Sequence, residues 1–281
     1  MSNGKTWSVV STSESNRIIL AIDFPAAGRN EASFDDLTKK MGSAWAGYGV
    51  LQTVPPTVRI TDRPSGDFYT EHWMQGVEWE KYEVVVVMGY CVGSVYAAEI
   101  AQRLTRWQAR EPEILLFDPQ LTDSQLLAAE MHKMIGMAGA VFTADEADQA
   151  RQRATRIVES PSAALYDAAS EIVELYREMA TIAFQRIGLN DNLRDDVVRL
   201  FESYMTWLAA AAQVDPSEGW KRSTAITSAD YAVMENRGDT TVLNAVKTIG
   251  RRFPLDVGHA ELMRSAQAVE VLQRHADFLA S

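Results

Sequence analysis

The sequence predicts an α/β protein with a mostly parallel central sheet and a helical insertion. Three observations carry this. Short β-branched runs alternate with segments of helical spacing as far as Pro119. A long helical stretch, about 121–212, then interrupts the alternation. Strand and helix patterns resume after it and run to the end.

Taken in order, residues 17–24 (RIILAIDF) read as a buried strand that empties into the loop Pro25-Ala26-Ala27-Gly28. Residues 33–41 (SFDDLTKKM) carry a serine N-cap signal and helical spacing. A second strand is expected at 49–54, before Pro55-Pro56, and a helix over 70–80. Residues 82–88 (YEVVVVM) give the clearest strand. Four consecutive valines suit a central parallel strand covered on both faces. An alanine-rich helix over 94–104 follows, then a strand at 113–117 (EILLF). After the helical block, which breaks at 189–192, short strands are expected at 224–227 and around 252–257. A closing amphipathic helix is expected over about 265–279. No linker flanks the block, so the spacing predicts one domain over 1–281 with the block as a lid. A separate helical domain is the alternative.

Composition narrows the function classes. The chain has 281 residues, 47% hydrophobic and 23% charged, as expected of a globular enzyme. No apolar run approaches the ~20 residues that cross a bilayer. The polar start lacks an apolar signal core, and the single cysteine makes an internal disulfide impossible. Together they predict a reducing, cytoplasmic setting. A net charge of −11 argues against nucleic acid or anionic membrane as a partner. His72, His132, His259 and His275 are scattered with no metal-ligand spacing, so no metal and no bound cofactor are expected.

The most informative stretch is 84–93. A parallel strand ends, one residue turns sharply, and a helix begins. Gly89-Tyr90-Cys91-Val92-Gly93 is the G-x-S-x-G elbow of an α/β-hydrolase fold with cysteine in place of serine. The turn exposes Cys91 at the carboxyl edge of the sheet, and the helix N-terminus favours its thiolate. Glycines on either side remove side chains where strand and helix crowd together. The competing reading is a buried structural cysteine. The order nucleophile, acid, histidine selects His259 as base. His72 precedes the nucleophile, His132 falls in the block, and His275 lies inside the closing helix. Asp118 and Asp230 each follow a strand, and the residues leave the acid open between them. An oxyanion hole needs two backbone N–H groups. Val92 supplies one and the loop 24–28 the other. Methionines early in the block, Met134 and Met137, are candidates to face an apolar substrate.

With those residues in hand, the chain resembles the thioesterase family of nonribosomal peptide and polyketide synthases. The likeness runs through FPAAGRNEASFDDLTKKM (24–41), VVVMGYCVGSVYAAEIAQRL (85–104), ILLFDP (114–119) and GHAELMRSAQAVEVLQRHADFL (258–279). It is closer to the chain-terminating type, which implies Asp118, 27 residues after Cys91, as the acid. It also implies Ala27 as the second oxyanion donor. The resemblance implies an acyl, aminoacyl or peptidyl thioester presented on the phosphopantetheine of a carrier protein. The covalent acyl-Cys91 would be released by hydrolysis, cyclisation or transfer in secondary-metabolite (antibiotic) biosynthesis. The family normally has serine at the elbow. A cysteine opens two further readings: a shuttle that moves the group between two carrier proteins, and a hydrolase of small esters or lactones. A scaffold without activity is the non-enzymatic reading.

Overall fold

A computed structural model describes residues 5–25, 30–160 and 164–275. The chain divides into two compact units. The first comprises Met1–Pro56, Asp67–Leu121 and Val214–Ser281, and the second Thr57–Gly66 and Thr122–Gln213.

The first unit is built on seven strands: β1 (Trp7–Ser11), β2 (Arg17–Ile22), β3 (Gly49–Thr53), β4 (Glu83–Tyr90), β5 (Glu113–Phe117), β6 (Thr224–Thr227) and β7 (Arg251–Pro254). They lie in the order β1-β3-β2-β4-β5-β6-β7. Only β1 is antiparallel to its neighbour. Apolar runs explain the centre: every residue of β2 after Arg17 and every residue of β4 after Glu83 is buried. Strand order reverses between β2 and β4, so their carboxyl ends flank the crevice where open α/β sheets place their sites. Pro254 fits β7 because an edge strand can spare one N–H.

Among the described residues its α-helices are α1 (Phe34–Met41), α2 (Gly66–Met74, which enters this unit at Asp67), α3 (Gly93–Leu104), α8 (Ser217–Lys221), α9 (Ala229–Asn236), α10 (Thr240–Thr248) and α11 (Ala266–His275). Ser33 and Asp36 cap α1 in a reciprocal box. Alternate strand residues, among them Ile19, Ala21, Val86 and Met88, form one core with Phe34 and Leu37 of α1 and Leu272 of α11. The intervening residues Leu20, Val87 and Leu116 are equally buried.

The second unit is helical: α4 (Ser124–Met137), α5 (Ala144–Val158), α6 (Leu165–Ile187) and α7 (Asp191–Ala211). Each of α4, α5 and α7 begins on a capping side chain, from Asp123, Thr143 and Asn190. α6 ends at Gly188, whose φ of 70° few other residues would accept. Tyr176 and Phe201 stack at 4.1 Å between α6 and α7. Residues 57–66 join this unit through the Ile60 N–H, which donates to Glu202, and the Tyr166 hydroxyl, which donates to the Pro64 carbonyl. Met131 and Ile135 are core residues here. Met134 is half-buried and Met137 is 56% exposed.

Three expectations shift. The helix expected over 70–80 is displaced to Gly66–Met74, and only a single 3₁₀ turn forms at Trp79–Lys81. Gly76 and the buried Trp79 account for this, since the chain must turn to insert the indole, whose N–H donates to the Met74 carbonyl. The helical block breaks after Met137 and Val158 as well as near 189. β1 was not expected at all. Its middle residues stay partly exposed at the sheet edge, so its sequence lacks the signature of a buried strand.

Candidate active site

The elbow forms between β4 and α3. Cys91 has φ 50°, a left-handed conformation that a cysteine adopts only under constraint. Its N–H donates to the Phe117 carbonyl at 2.8 Å, tying the turn to the end of β5. The flanking glycines are obligatory for steric reasons. A Cβ on Gly89 would lie 2.4 Å from Ser94 Cα, and one on Gly93 would lie 2.3 Å from the Ile22 carbonyl oxygen. Cys91 is partly buried and directly precedes the N-cap of α3, a helix end that favours an anion.

Asp118 follows β5 as Cys91 follows β4, and it too has a left-handed backbone, φ 45°. Its N–H donates to the Ile226 carbonyl at 3.1 Å, anchoring the residue to β6. The carboxylate is 2% exposed. Oδ1 accepts the Ser228 N–H at 2.7 Å, and Oδ2 lies 2.6 Å from His259 Nδ1. Asp230 plays a different part: its Oδ2 accepts the backbone N–H of His259 at 2.7 Å. Both acids therefore converge on His259, one at the ring and one at the main chain. Tyr231 donates to the Pro119 carbonyl at 2.7 Å, and burial, with the negative charge of Asp118, pushes its phenol far above the ordinary value. It is thus a fixed donor bracing the acid-bearing loop.

Two residues that the sequence did not single out complete the neighbourhood. Gln120 accepts from the Cys91 thiol at 3.6 Å through Oε1, and its backbone N–H donates to the Cys91 carbonyl at 3.4 Å. Its amide donates to the Thr241 hydroxyl at 3.0 Å, and that hydroxyl donates to Asp239 at 2.6 Å. Tyr90, the residue before Cys91, places its hydroxyl 2.8 Å from His259 Nε2. Position beside Cys91 and Asp118 is the only sequence signal either residue gives. Val92 is buried at the start of α3. Ala27 lies outside the described residues. His132 Nε2 meets the Arg151 carbonyl at 3.1 Å. Burial holds the His72 imidazole below its ordinary 6.5, opposed by a hydrogen bond to the Val54 backbone.

No known family model and no curated protein matches the sequence. Solved structures do. A Vlm2 thioesterase domain carrying genetically encoded 2,3-diaminopropionic acid and bound to a dodecadepsipeptide has a TM-score of 0.52 at 13% identity. The match covers 96% of this chain and 97% of that one. A carboxylesterase structure from the ammonia-oxidizing thaumarchaeon Nitrososphaera gargenis has a TM-score of 0.54 at 9% identity, covering 98% and 94%. A bromoperoxidase from Bacillus anthracis has a TM-score of 0.50 at 10% identity, covering 98% and 95%. The chain has the α/β-hydrolase fold. Cys91 stands at the turn that follows β4, in left-handed backbone. Among the described residues no helix is long and apolar enough to cross a membrane. No group of three or more His, Cys, Asp and Glu side chains is placed to hold a metal ion there either.

Proposed function

We propose that this protein is a thioesterase-like acyl-transfer enzyme with a Cys91–His259–Asp118 triad. It takes an acyl, aminoacyl or peptidyl group from a carrier-protein phosphopantetheine thiol onto Cys91. The reading is carried by the cysteine in left-handed backbone at the elbow, together with a histidine whose Nδ1 meets a buried carboxylate. Nucleophile, base and orienting acid then have their usual roles. His259 accepts the Cys91 proton, the thiolate attacks the thioester carbonyl, and the carrier thiol leaves with the proton from His259. Asp118 fixes the imidazole tautomer and steadies the imidazolium. The backbone N–H groups of Val92 and Ala27 receive the negative charge of the tetrahedral intermediate. Water, an internal nucleophile or a second carrier thiol then takes the group from Cys91. The Vlm2 neighbour, a thioesterase domain bound to a dodecadepsipeptide, supports a peptidyl substrate.

A shuttle between two carriers is favoured by the cysteine itself. Thiol-to-thiol transfer is nearly isoenergetic, so the group can be handed on as readily as it is accepted. Long-range steering by an acidic carrier is weak for a chain of charge −11. Three of the arginines on α3 and α5 are also paired: Arg103 with Glu99 and Asp67, Arg151 with Asp148, and Arg153 with Glu178.

The test compares three substrates carrying one acyl group: a loaded carrier protein, an N-acetylcysteamine thioester and a small oxygen ester. Turnover is expected in the order carrier, small thioester, oxygen ester, and Cys91→Ala is expected to abolish all three. An oxygen ester processed faster than either thioester would overturn the carrier reading in favour of a small-ester hydrolase.

A further inference from the structure

We infer that Tyr90 is a positioning residue for the base, its hydroxyl changing from donor to acceptor as His259 gains a proton. The inference deepens the acyl-transfer reading above and rests on it for its role in turnover. Tyr90 closes β4 and is 4% exposed. Its hydroxyl oxygen lies 2.8 Å from His259 Nε2 and 3.2 Å from the His259 carbonyl oxygen. The two rings are nearly parallel, 19° apart, with centroids at 4.9 Å.

Those two distances give the hydroxyl two arrangements. In the neutral imidazole Nδ1 carries the proton toward Asp118, so Nε2 offers a lone pair. The Tyr90 O–H donates to that lone pair. For the Cys91 proton to reach Nε2, the Tyr90 O–H first turns from that lone pair to the His259 carbonyl. The Cys91 S–H bond then breaks, the sulfur keeps the electron pair, and Nε2, now protonated, donates to the Tyr90 oxygen. The Tyr90 hydroxyl has a partner in either state. The two states are unequal in strength. An imidazolium N–H to oxygen bond is charge-assisted, roughly twice as strong as the neutral bond it replaces. The carbonyl bond adds to it. Tyr90 therefore favours the protonated base, the form that accompanies the thiolate. The same contact holds the ring against rotation about its bond to Asp118, so Nε2 returns to one place in each cycle. Asp230 fixes the main chain of the same residue. His259 is thus held at its backbone, at both ring nitrogens and along the ring.

The test is an NMR titration of the His259 imidazole in the full chain, in a Cys91→Ala background so that no thiol titration is superimposed. The His259 signals are identified by their loss in His259→Gln. Adding Tyr90→Phe keeps the ring and removes the hydroxyl. The expected midpoint falls by about one pH unit, a tenfold change in the protonation constant. A ring-fluorinated tyrosine at position 90, a stronger donor and weaker acceptor, is expected to lower it by a smaller step. This second variant preserves every atom of the contact should the phenylalanine variant fold poorly. An unchanged or raised midpoint in both variants overturns the inference. The titration needs no substrate, so it separates the two readings. A lowered midpoint with no acyl transfer on any thioester would leave Tyr90 positioning His259 and sink the thioesterase function alone.

Discussion

Replacing Asp118 by asparagine removes a charge and almost no volume. The left-handed backbone at this position, φ 45°, is tolerated by asparagine as by aspartate, so no backbone strain is introduced. The effect lies in hydrogen-bond inventory. Both carboxylate oxygens face N–H donors, Ser228 N–H at 2.7 Å and His259 Nδ1 at 2.6 Å. The Asp118→Asn amide has one acceptor for these two donors. If its oxygen stays with Ser228, its NH₂ faces Nδ1 and drives the imidazole proton to Nε2. The base then has no lone pair to offer the thiol. If the amide turns round, its NH₂ meets the Ser228 N–H. A buried donor then loses its acceptor, at about 1–3 kcal/mol. A wrong tautomer costs up to about 10⁴ in rate, or about 5 kcal/mol in barrier. A thiol ionises far more readily than a hydroxyl and asks less of its base, so the expected loss is about 10²–10⁴-fold. The assay is the rate of acyl-enzyme formation from an N-acetylcysteamine thioester, followed by intact mass at short times. Asp230→Asn is the control. Its amide oxygen can still accept the His259 N–H, so the loss is expected to stay within about tenfold, the worth of one ordinary hydrogen bond. Near-normal acylation by Asp118→Asn with collapse in Asp230→Asn would refute the reasoning and move the acid to position 230.

Other outcomes follow from the same geometry. Cys91→Ser is expected to load slowly and then stall as an oxoester or leak free acid, because return to a carrier thiol is uphill from an oxoester. Undiminished carrier-to-carrier transfer by this variant, read from product masses, would show that thiol energetics are irrelevant. At φ 50°, alanine keeps the backbone strain and glycine relieves it, so Cys91→Gly is expected to be about 1 kcal/mol more stable than Cys91→Ala in urea. A glycine variant less stable than the alanine variant would mean that the elbow stores less strain than the entropy that glycine costs. The His72 imidazole is depressed by burial, so the folded state binds fewer protons than the unfolded chain. Its contribution to stability is full above about pH 6.5 and is lost as the pH falls through that value toward the folded one. His72→Gln is expected to flatten that part of the stability curve, measured by urea unfolding between about pH 5 and 7.5. An unaltered slope would place the acid sensitivity elsewhere.

Much of the fold was legible because its centre is local. A valine run ending in glycine, one residue, cysteine, one residue and glycine dictates strand, elbow and helix. The steric closeness at Gly89 and Gly93 is the physical reason for that spacing. Chain order alone nominates His259. It leaves Asp118 and Asp230 open, because each follows a strand and only three dimensions reveal which atom of His259 each one meets. Tyr90 and Gln120 were illegible for a related reason. Their contacts depend on side-chain direction across β4, β5 and the loop carrying His259, and no periodicity encodes that. β1 escaped notice because an edge strand with Val9 more than half exposed has no apolar face to announce it.

The central claim is that Cys91 carries the acyl group. The most direct measurement mixes the protein with an acyl-loaded carrier, quenches in acid at short times, and maps the adduct by peptide mass spectrometry. The account predicts a mass gain equal to the acyl group on the peptide containing Cys91, removable by hydroxylamine and absent in Cys91→Ala. Turnover of the loaded carrier with no adduct at Cys91, and with activity retained in Cys91→Ala, would contradict it.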